Sequence, residues 1–68
     1  GAMNSGDILK VEDIPKGTMV RRISKLGIGK KLYDRGEYCK FSKAYVLEDW
    51  GDISSDVLIK KGTKLIIE

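Results

Sequence analysis

The sequence predicts a small, mainly all-β fold, and three observations support this class. Turns that contain glycine recur at short intervals, at Gly17, Gly36 and Gly62. The segments between them are rich in β-branched and aromatic residues, which favour strands. No window carries the apolar i, i+3, i+4, i+7 pattern of an amphipathic helix. We therefore expect an SH3-like barrel or a β-roll of about five to six short strands, with one short helical turn.

The length of the chain predicts a single domain. Its 68 residues leave no room for a second hydrophobic core. Gly1-Ala2-Met3 resembles the remnant of a cleaved expression tag, so we expect residues 4–68 to form the one small β domain. A domain of this size stands near the limit of independent folding, and contact with a partner would add to its stability.

Strands are predicted between the turns, where β-branched and aromatic residues cluster. The single strands are residues 8–11, 18–24 and 43–48. One hairpin is expected with arms at residues 32–33 and 37–41 around Asp34-Arg35-Gly36, and a closing hairpin with arms at 57–59 and 63–67. Each turn places glycine fourth, which suits a type I turn.

A helical turn is expected at one of two places, residues 11–14 or residues 52–57. Both stretches are short and lie between predicted strands. In the second, Ser54 and Ser55 are candidate caps, because a hydroxyl can accept a hydrogen bond from a free backbone N–H group.

One short phrase occurs twice in the chain. Residues 14–20 read Ile-Pro-Lys-Gly-Thr-Met-Val, and residues 59–65 read Ile-Lys-Lys-Gly-Thr-Lys-Leu. Turn chemistry alone explains the repetition, because Lys-Gly-Thr favours a turn before a strand. The alternative is internal pseudo-symmetry, in which the two half-motifs pair with each other across the barrel.

Charge is distributed unevenly along the chain. The net charge is +3, yet residues 14–33 contain six basic residues and no acidic one. Residues 48–56 contain four acidic residues and no basic one. If the two segments fall on different faces, the protein has a dipolar surface.

The composition argues against most catalytic and metal sites. The chain has no histidine, the commonest general base and zinc ligand. Its one cysteine, Cys39, has no partner for a thiolate site and is expected to be a small core residue. Asp49, Asp52 and Asp56 lack the spacing of a calcium-binding loop. We expect no enzymatic activity, no metal and no cofactor.

Cysteine usage and hydropathy bear on localisation. A single cysteine rules out an internal disulfide, which is typical of a reducing compartment. No apolar run approaches the ~20 residues that span a membrane, and no secretory signal pattern is present. The expected location is the cytoplasm, with no membrane partner.

The first candidate binding surface is the basic segment. Its main charges belong to Arg21, Arg22, Lys25, Lys30 and Lys31. They favour an acidic partner, either nucleic acid or an acidic protein patch, and residues 25–31 could also hold a phosphate. The alternative is an ordinary solvated strand face followed by a flexible connection. No aromatic residue lies within the segment, although strand pairing could bring Tyr33 or Tyr38 beside it for stacking.

The second candidate surface surrounds Trp50, the only tryptophan of the chain. A tryptophan in an acidic, glycine-containing loop is typical of an interface anchor, because it buries a large area with few rotatable bonds. The candidate partner-binding residues are Trp50, Tyr45, Asp49 and Asp52. The alternative is that Trp50 folds back and plugs one end of the barrel.

These features favour a small, non-enzymatic protein-binding module, an accessory or regulatory protein that docks on a larger partner protein. Its size suits a regulator encoded by a phage or another mobile element. The alternative function is nucleic-acid binding through the basic segment, residues 16–31. A homodimer through the apolar C-terminal strand, residues 63–68, is expected only if that strand lies at a sheet edge.

Overall fold

The computed structural model describes residues 3–68, and at residue 53 the backbone alone. Gly1 and Ala2, which belong to the predicted tag remnant, lie outside the described residues. The described chain forms one antiparallel sheet of seven strands. They are β1 (Ile8–Lys10), β2 (Met19–Ser24), β3 (Gly27–Ile28), β4 (Tyr33–Cys39), β5 (Ala44–Asp49), β6 (Val57–Lys60) and β7 (Lys64–Ile67).

The predicted all-β class is confirmed, but the sheet does not close as a barrel within the described residues. Its strand order is β1-β7-β2-β4-β5-β6, with β3 paired to β2 as a side hairpin. β1 and β6 are the two ends of this order. The seven strands exceed the predicted five to six because the short β3 was not expected.

Single-turn 3-10 helices form at both sites where a helical turn was expected. They span Val11–Asp13 and Ile53–Ser55. The cap of the second turn is Asp52, whose side chain accepts a hydrogen bond from the Ser54 N–H group. Asp52 is therefore the cap, in place of the predicted Ser54 or Ser55. It stands just before the turn, where the first backbone N–H groups of a helix lack a partner within the helix.

The closing hairpin predicted from β6 and β7 is wrong. β6 pairs with β5, whereas β7 lies between β1 and β2, with Leu65 opposite both Leu9 and Arg22. Both edges of β7 are thus occupied, and a homodimer cannot form through its hydrogen-bonding ladder. The condition for dimerisation through this strand, that it lies at a sheet edge, is therefore not met.

The hairpin predicted around Asp34-Arg35-Gly36 is also wrong, because β4 runs through all three residues. Gly36 is buried against β5, where a Cβ atom would lie 2.9 Å from Glu48 Oε1 and 3.0 Å from the Val46 carbonyl oxygen. This glycine therefore serves close strand packing. The turn between β4 and β5 lies at residues 40–43 and ends on Lys43, which has a φ of 54°.

The strands that follow the two copies of the repeated phrase, β2 and β7, are antiparallel neighbours. The phrases themselves, residues 14–20 and 59–65, have no residue of one copy opposite a residue of the other. The paired residues are Val20 with Ile67, Arg21 with Ile66 and Arg22 with Leu65. This pairing places a local pseudo-two-fold axis between Arg21 and Ile66, but it relates the strands after the phrases, and the expected pairing of the two half-motifs across a barrel is not seen.

The turns of the two copies have the same geometry. The Thr18 N–H group donates to the carbonyl three residues earlier at 3.2 Å, and Thr63 does so at 3.1 Å. Before each threonine stands a glycine of positive φ, 88° at Gly17 and 91° at Gly62. Glycine is therefore third in each turn, which is type II geometry and not the predicted type I.

A single cluster of buried side chains forms the core beneath the sheet. Its members are Val11, Ile14, Val20, Tyr33, Leu47, Ile59, Leu65 and Ile67. They come from both ends of the chain, so the core forms only when distant segments meet. Cys39 is partly buried and lies outside this cluster. No helix within residues 3–68 has the length and hydropathy needed to cross a membrane.

Candidate functional site

The two candidate surfaces of the sequence are neighbours in the fold. Lys31 Nζ, from the basic segment, lies 3.1 Å from Asp49 Oδ2 at the end of β5. Next to this ion pair, the Trp50 N–H group donates to the Leu32 carbonyl oxygen at 3.2 Å. The basic and acidic segments therefore meet at this point, and the condition set for a dipolar surface, that they fall on different faces, is not met here.

Asp49 organises the loop that follows β5. Its side chain is almost fully buried, and Oδ1 accepts the N–H groups of Gly51 at 2.7 Å and Asp52 at 3.3 Å. The pKa of Asp49 is lowered below its usual value. The largest cause is the hydrogen bond from the Gly51 N–H group, and the next is the hydrogen bond from Lys31. Asp49 thus supports the loop from inside and is not an exposed partner contact as predicted.

Asp52 is likewise engaged within the loop. Its carboxylate accepts the Ser54 hydroxyl at 2.6 Å, the Ser54 N–H at 2.9 Å and the Ser55 hydroxyl at 3.0 Å. The Ser54 hydroxyl is the main cause of the lowered pKa of Asp52. The carboxylate is exposed to solvent but directed to the 3-10 turn that it caps.

Trp50 projects from this fixed loop into solvent. Its side chain is 59% exposed, so it does not plug the core as the alternative interpretation held. The loop bonds made by Asp49 on one side and Asp52 on the other restrict the backbone that carries it. A large exposed aromatic side chain on a restrained backbone is typical of an interface anchor.

Tyr45 does not extend the Trp50 surface. It packs against the core cluster, with the Tyr38 ring centroid 4.8 Å away and the Arg35 guanidinium carbon 4.1 Å from its own centroid. Five residues of extended strand, roughly 16 Å, separate Tyr45 from Trp50. Tyr33, the other candidate for stacking beside the basic segment, is buried in the core.

Arg21 is held by the C-terminal residue. Its Nε donates to Glu68 Oε2 at 2.6 Å, and its NH1 group donates to the Lys30 carbonyl oxygen at 2.8 Å. The bond to Glu68 raises the pKa of Arg21 and lowers that of the carboxyl. Arg21 therefore ties β2 to residues 29–30 and to the chain end, and is less available to an acidic partner than predicted.

The segment expected to be a flexible connection or a phosphate site is a hairpin. β2 and β3 are joined by the two residues Lys25 and Leu26, with Ser24 opposite Gly27. The Leu26 N–H group donates to Ser24 Oγ and the Gly29 N–H group to the Arg22 carbonyl. Because these N–H groups are already bonded, a phosphate would have to compete for them.

Three adjoining depressions cross the surface from β2 to β5. The basic depression is lined by Arg22, Ile23, Lys30, Lys31 and Tyr33. The tryptophan depression is lined by Lys30, Lys31, Leu32, Asp49, Trp50 and Asp52. The acidic depression is lined by Asp34, Glu48, Asp49 and Trp50. The first two depressions share Lys30 and Lys31, and the last two share Asp49 and Trp50; the three together are called the track.

The charges of the track change sign along it. Among the ion pairs within residues 3–68, none involves Arg22 or Lys30, which line the basic depression. At the other end, Asp34 lies directly opposite Glu48 in the β4–β5 ladder. Their Cβ atoms are therefore only about 5 Å apart, and the Glu48 carboxylate lies beside Gly36. Trp50 stands between the two ends.

Comparison with known proteins adds no relative. No protein-family model, no curated protein and no solved structure matches the chain.

The chemistry of the track is therefore judged from its own side chains. It offers cations, one large aromatic surface and carboxylates, which together suit binding of a polar macromolecular surface. Within residues 3–68, no three His, Cys, Asp or Glu side chains converge as a metal site. Cys39 lies elsewhere, near the β4–β5 turn, where the Ser42 hydroxyl 3.5 Å away lowers the pKa of the thiol.

Sequence reasoning found Trp50, Arg22, Lys30 and Lys31, but missed the acidic end of the track. Asp34 was placed in a turn, so its position opposite Glu48 was hidden. No local signal reveals this pair, because it depends on the register between β4 and β5. One hint in the sequence was Gly36. Glycine inside a strand often marks a place where a neighbouring segment of backbone approaches closely, and here that segment is β5.

Proposed function

We propose that this chain is a small, non-enzymatic protein-binding module that docks on a larger partner through the track centred on Trp50. The observation that carries the proposal is the 59% exposure of Trp50 on a loop restrained by Asp49. A rigid backbone lowers the entropy that binding costs, and tryptophan is among the residues most enriched at interface hot spots. The proposed anchor is therefore Trp50.

The mixed charges around Trp50 favour a protein partner over nucleic acid. Trp50 shares the acidic depression with Asp34, Glu48 and Asp49. A phosphate backbone laid across this depression would meet carboxylates, whereas a protein segment can present either sign of charge. The cations at the other end then give specificity and orientation to a protein partner.

Nucleic-acid binding is the second candidate function, and one observation favours it. The basic depression lies next to Trp50, and Lys30 and Lys31 line both depressions. Phosphates on Arg22 and Lys30 with a base stacked on Trp50 would reproduce the usual single-strand arrangement. This candidate predicts affinity that falls steeply with salt concentration, because bound phosphates release counterions.

The proposed setting is the cytoplasm, which fits a chain with one free cysteine, Cys39. The proposed role of the module is that of an accessory or regulatory protein. Regulation would then consist of occupying a surface of the larger partner. The proposal includes no chemical step.

The test is capture of the partner by tagged protein from cells that make this chain naturally. Trp50→Ala is compared with Phe41→Ala, a matched control because Phe41 is 97% exposed on the β4–β5 turn. We expect wild type and Phe41→Ala to retain a partner protein that Trp50→Ala loses. Each capture is repeated after nuclease treatment, and the partner should remain.

Two results would overturn the proposal. The first is a partner held equally well by wild type and by Trp50→Ala. The second is loss of all captured material on nuclease treatment, together with a steep salt dependence of binding to DNA or RNA oligonucleotides. That second result would establish the nucleic-acid function in its place.

A further inference from the structure

The sheet face that is turned away from the core carries an apolar stripe. Side chains alternate between the two faces of a strand, and on β2, β7 and β1 the core side is marked by Val20, Leu65 and Leu9. Their sequence neighbours therefore lie on the opposite, outer face. The apolar residues of this outer face, here called the isoleucine stripe, are Ile8, Ile66, Ile23 and Ile28.

The strand register makes these four side chains neighbours. Ile8 lies opposite Ile66, and Ile23 lies opposite Ile28. Ile66 is also opposite Arg21, which precedes Ile23 by two residues on the same face of β2, so Ile66 and Ile23 are diagonal neighbours. The stripe thus crosses β1, β7, β2 and β3. Single exposed apolar residues are ordinary, but a contiguous apolar strip with a polar rim marks an interaction site.

The charges beside the isoleucine stripe are cationic. Lys10 and Lys64 lie directly opposite each other on the outer face of β1 and β7. Both lysines are exposed, and none of the ion pairs within the described chain involves either of them. On the other side of the stripe, Arg21 is already bound to Glu68. The charge left for a partner along the stripe is therefore positive.

We propose that the isoleucine stripe is a second docking surface, which binds an amphipathic helix of a partner protein with carboxylates along one side of its apolar face. The apolar side chains of the helix pack on the four isoleucines, and its carboxylates face Lys10 and Lys64. Charge complementarity selects this occupant. The inference goes beyond the proposed function, because of the four isoleucines only Ile23 also lines the track.

The exposure of the stripe and its lysines favour a helix over two other occupants. A second copy of this chain would bring a second set of the same lysines into the interface, and like charges would meet. The ends of the stripe, Ile8 and Ile28, are 55% and 57% exposed, whereas Ile23 is 36% exposed and Ile66 is half-buried. The convex apolar face of a helix reaches this recessed middle, whereas a flat lipid surface meets the ends first.

The register of the sheet sets the length of the helix. The stripe crosses three strand spacings of ~4.8 Å, and its ends lie two residues apart along the strands, at ~3.3 Å per residue. Its length is therefore roughly 16 Å. With a rise of ~1.5 Å per residue, about eleven residues of helix cover this distance. Apolar residues at positions i, i+4, i+7 and i+11 form one side of such a helix.

The probe is the peptide Ala-Leu-Glu-Ala-Gln-Leu-Glu-Ala-Leu-Glu-Gln-Ala-Leu, labelled with a fluorophore and titrated with the whole protein by anisotropy. Each glutamate follows a leucine, so the carboxylates lie along one side of the apolar face. The lysine peptide has lysine in place of each glutamate, and the glutamine peptide has glutamine in place of the two central leucines. We expect wild type to bind the probe about fivefold or more tightly than either comparison peptide.

Two double variants locate the binding on the stripe. In Ile8→Ser with Ile28→Ser, the affinity for the probe should fall about fivefold for each isoleucine removed, because half of each side chain remains to be buried. The matched control is Leu58→Ser, since Leu58 is also 55% exposed but lies on β6, away from the stripe. In Lys10→Glu with Lys64→Glu, the preference should pass to the lysine peptide. Circular dichroism checks that each variant is folded.

Amide shifts of wild type in NMR locate the probe without any substitution. Shifts confined to β1, β7, β2 and β3 support the inference, and shifts centred on β6 or on the loop of Trp50 overturn it. Equal binding of the three peptides overturns it, as does an equal loss of affinity in Leu58→Ser and in the double serine variant.

Three further results would assign the stripe to another occupant and overturn the inference. They are tighter binding of phosphatidylserine vesicles than of the probe, tighter binding of an oligothymidylate, and a dimer in light scattering that the double serine variant loses. The capture experiment with Trp50→Ala tests the proposed function by itself, so the inference and the proposed function can fail separately.

Discussion

Lys31 Nζ lies 3.1 Å from Asp49 Oδ2, and this single contact joins the basic segment to the loop that carries Trp50. The two partners differ in environment, since the side chain of Lys31 is 62% exposed and that of Asp49 only 4%. A buried carboxylate that also accepts two backbone N–H groups fixes the loop, while the lysine remains in contact with solvent. The geometry around Trp50 therefore depends on the ionised state of Asp49.

Acid should release the Trp50 loop. The pKa of Asp49 is lowered in the folded state, so its contribution is fully present above its usual pKa of about 3.9 and is lost as pH falls through the lower folded value. We expect the emission of Trp50 to change as pH falls below about 4. Fluorescence of the native protein over this range measures it.

Asp49→Asn should reduce that acid response, because this side chain no longer titrates, while Asp52, whose pKa is also lowered, still does. Glu37→Gln is the matched control: the pKa of Glu37 is also lowered, by Lys16, but neither residue lines a depression with Trp50. Glu37→Gln should keep the wild-type response. An unchanged acid response in Asp49→Asn would mean that another group controls the loop.

Trp50 should contribute much less to stability than a core residue does. Trp50→Ala is expected to lower the free energy of unfolding by less than about 1 kcal/mol, because the side chain is 59% exposed. Leu47→Ala is expected to lower it by about 2–5 kcal/mol, because Leu47 has no exposure. Urea unfolding followed by circular dichroism compares the two. Unfolding of Trp50→Ala at neutral pH would show that the tryptophan is structural.

Gly36 should tolerate no side chain, in contrast to a second glycine of the same region. Gly36→Ala brings a Cβ to 2.9 Å from Glu48 Oε1 and 3.0 Å from the Val46 carbonyl oxygen. The exposed Glu48 side chain can move away, so the cost comes from the Val46 backbone, which must shift by a few tenths of an ångström. We expect a loss of about 1–3 kcal/mol in the free energy of unfolding, as for an overpacked core site. Thermal or urea unfolding gives the value.

Gly51→Ala is the control for this change. Its added Cβ would meet only Asp49 Oδ1 at 3.5 Å, an ordinary contact. The stability of this variant should stay close to that of wild type. Equal losses for Gly36→Ala and Gly51→Ala would contradict the close packing of β4 on β5.

The central position of β7 should appear in hydrogen exchange. The Ile67 N–H group donates to the Asp7 carbonyl at 2.8 Å, on the β1 side, and the Glu68 N–H group donates to the Met19 carbonyl at 3.0 Å, on the β2 side. We expect the amides of β7 to exchange more slowly than those of β6, which pairs with β5 alone. Exchange measured by NMR decides this, and equal rates would argue against a central β7.

Sequence patterns predicted the local features of this fold well. The all-β class and the strand segments at residues 8–11, 18–24 and 43–48 are confirmed within one residue at each end. The predicted turns at Gly17 and Gly62 are confirmed, and both glycines have a positive φ. Such turns can be predicted locally, because glycine adopts a positive φ without the steric cost that other residues have. These features depend on neighbours in sequence, which a pattern can record.

The errors concern contacts between distant segments. Gly36 was taken for a turn residue because its packing against Val46 and Glu48 leaves no trace in the sequence around it. β6 and β7 were paired because they are consecutive, although β7 finds β1 and β2 instead. The candidate site shows the same division. Trp50 was predicted from its neighbours in sequence, whereas the burial of Asp49 and its ion pair with Lys31 depend on the three-dimensional fold.

The place of β7 between β1 and β2 also governs when this protein can fold during synthesis. β1 and β2 are not paired with each other, and each pairs with residues 64–67, which are translated after the other strands described. β1 must therefore wait, unpaired, until those residues emerge, and the edge of β2 that β7 covers stays open until then, although the other edge of β2 can already pair with β4. The full sheet forms only after β7 has been translated. Pairings of such large sequence separation form slowly, and until they form the exposed edges of β1 and β2 are open to aggregation or to a chaperone.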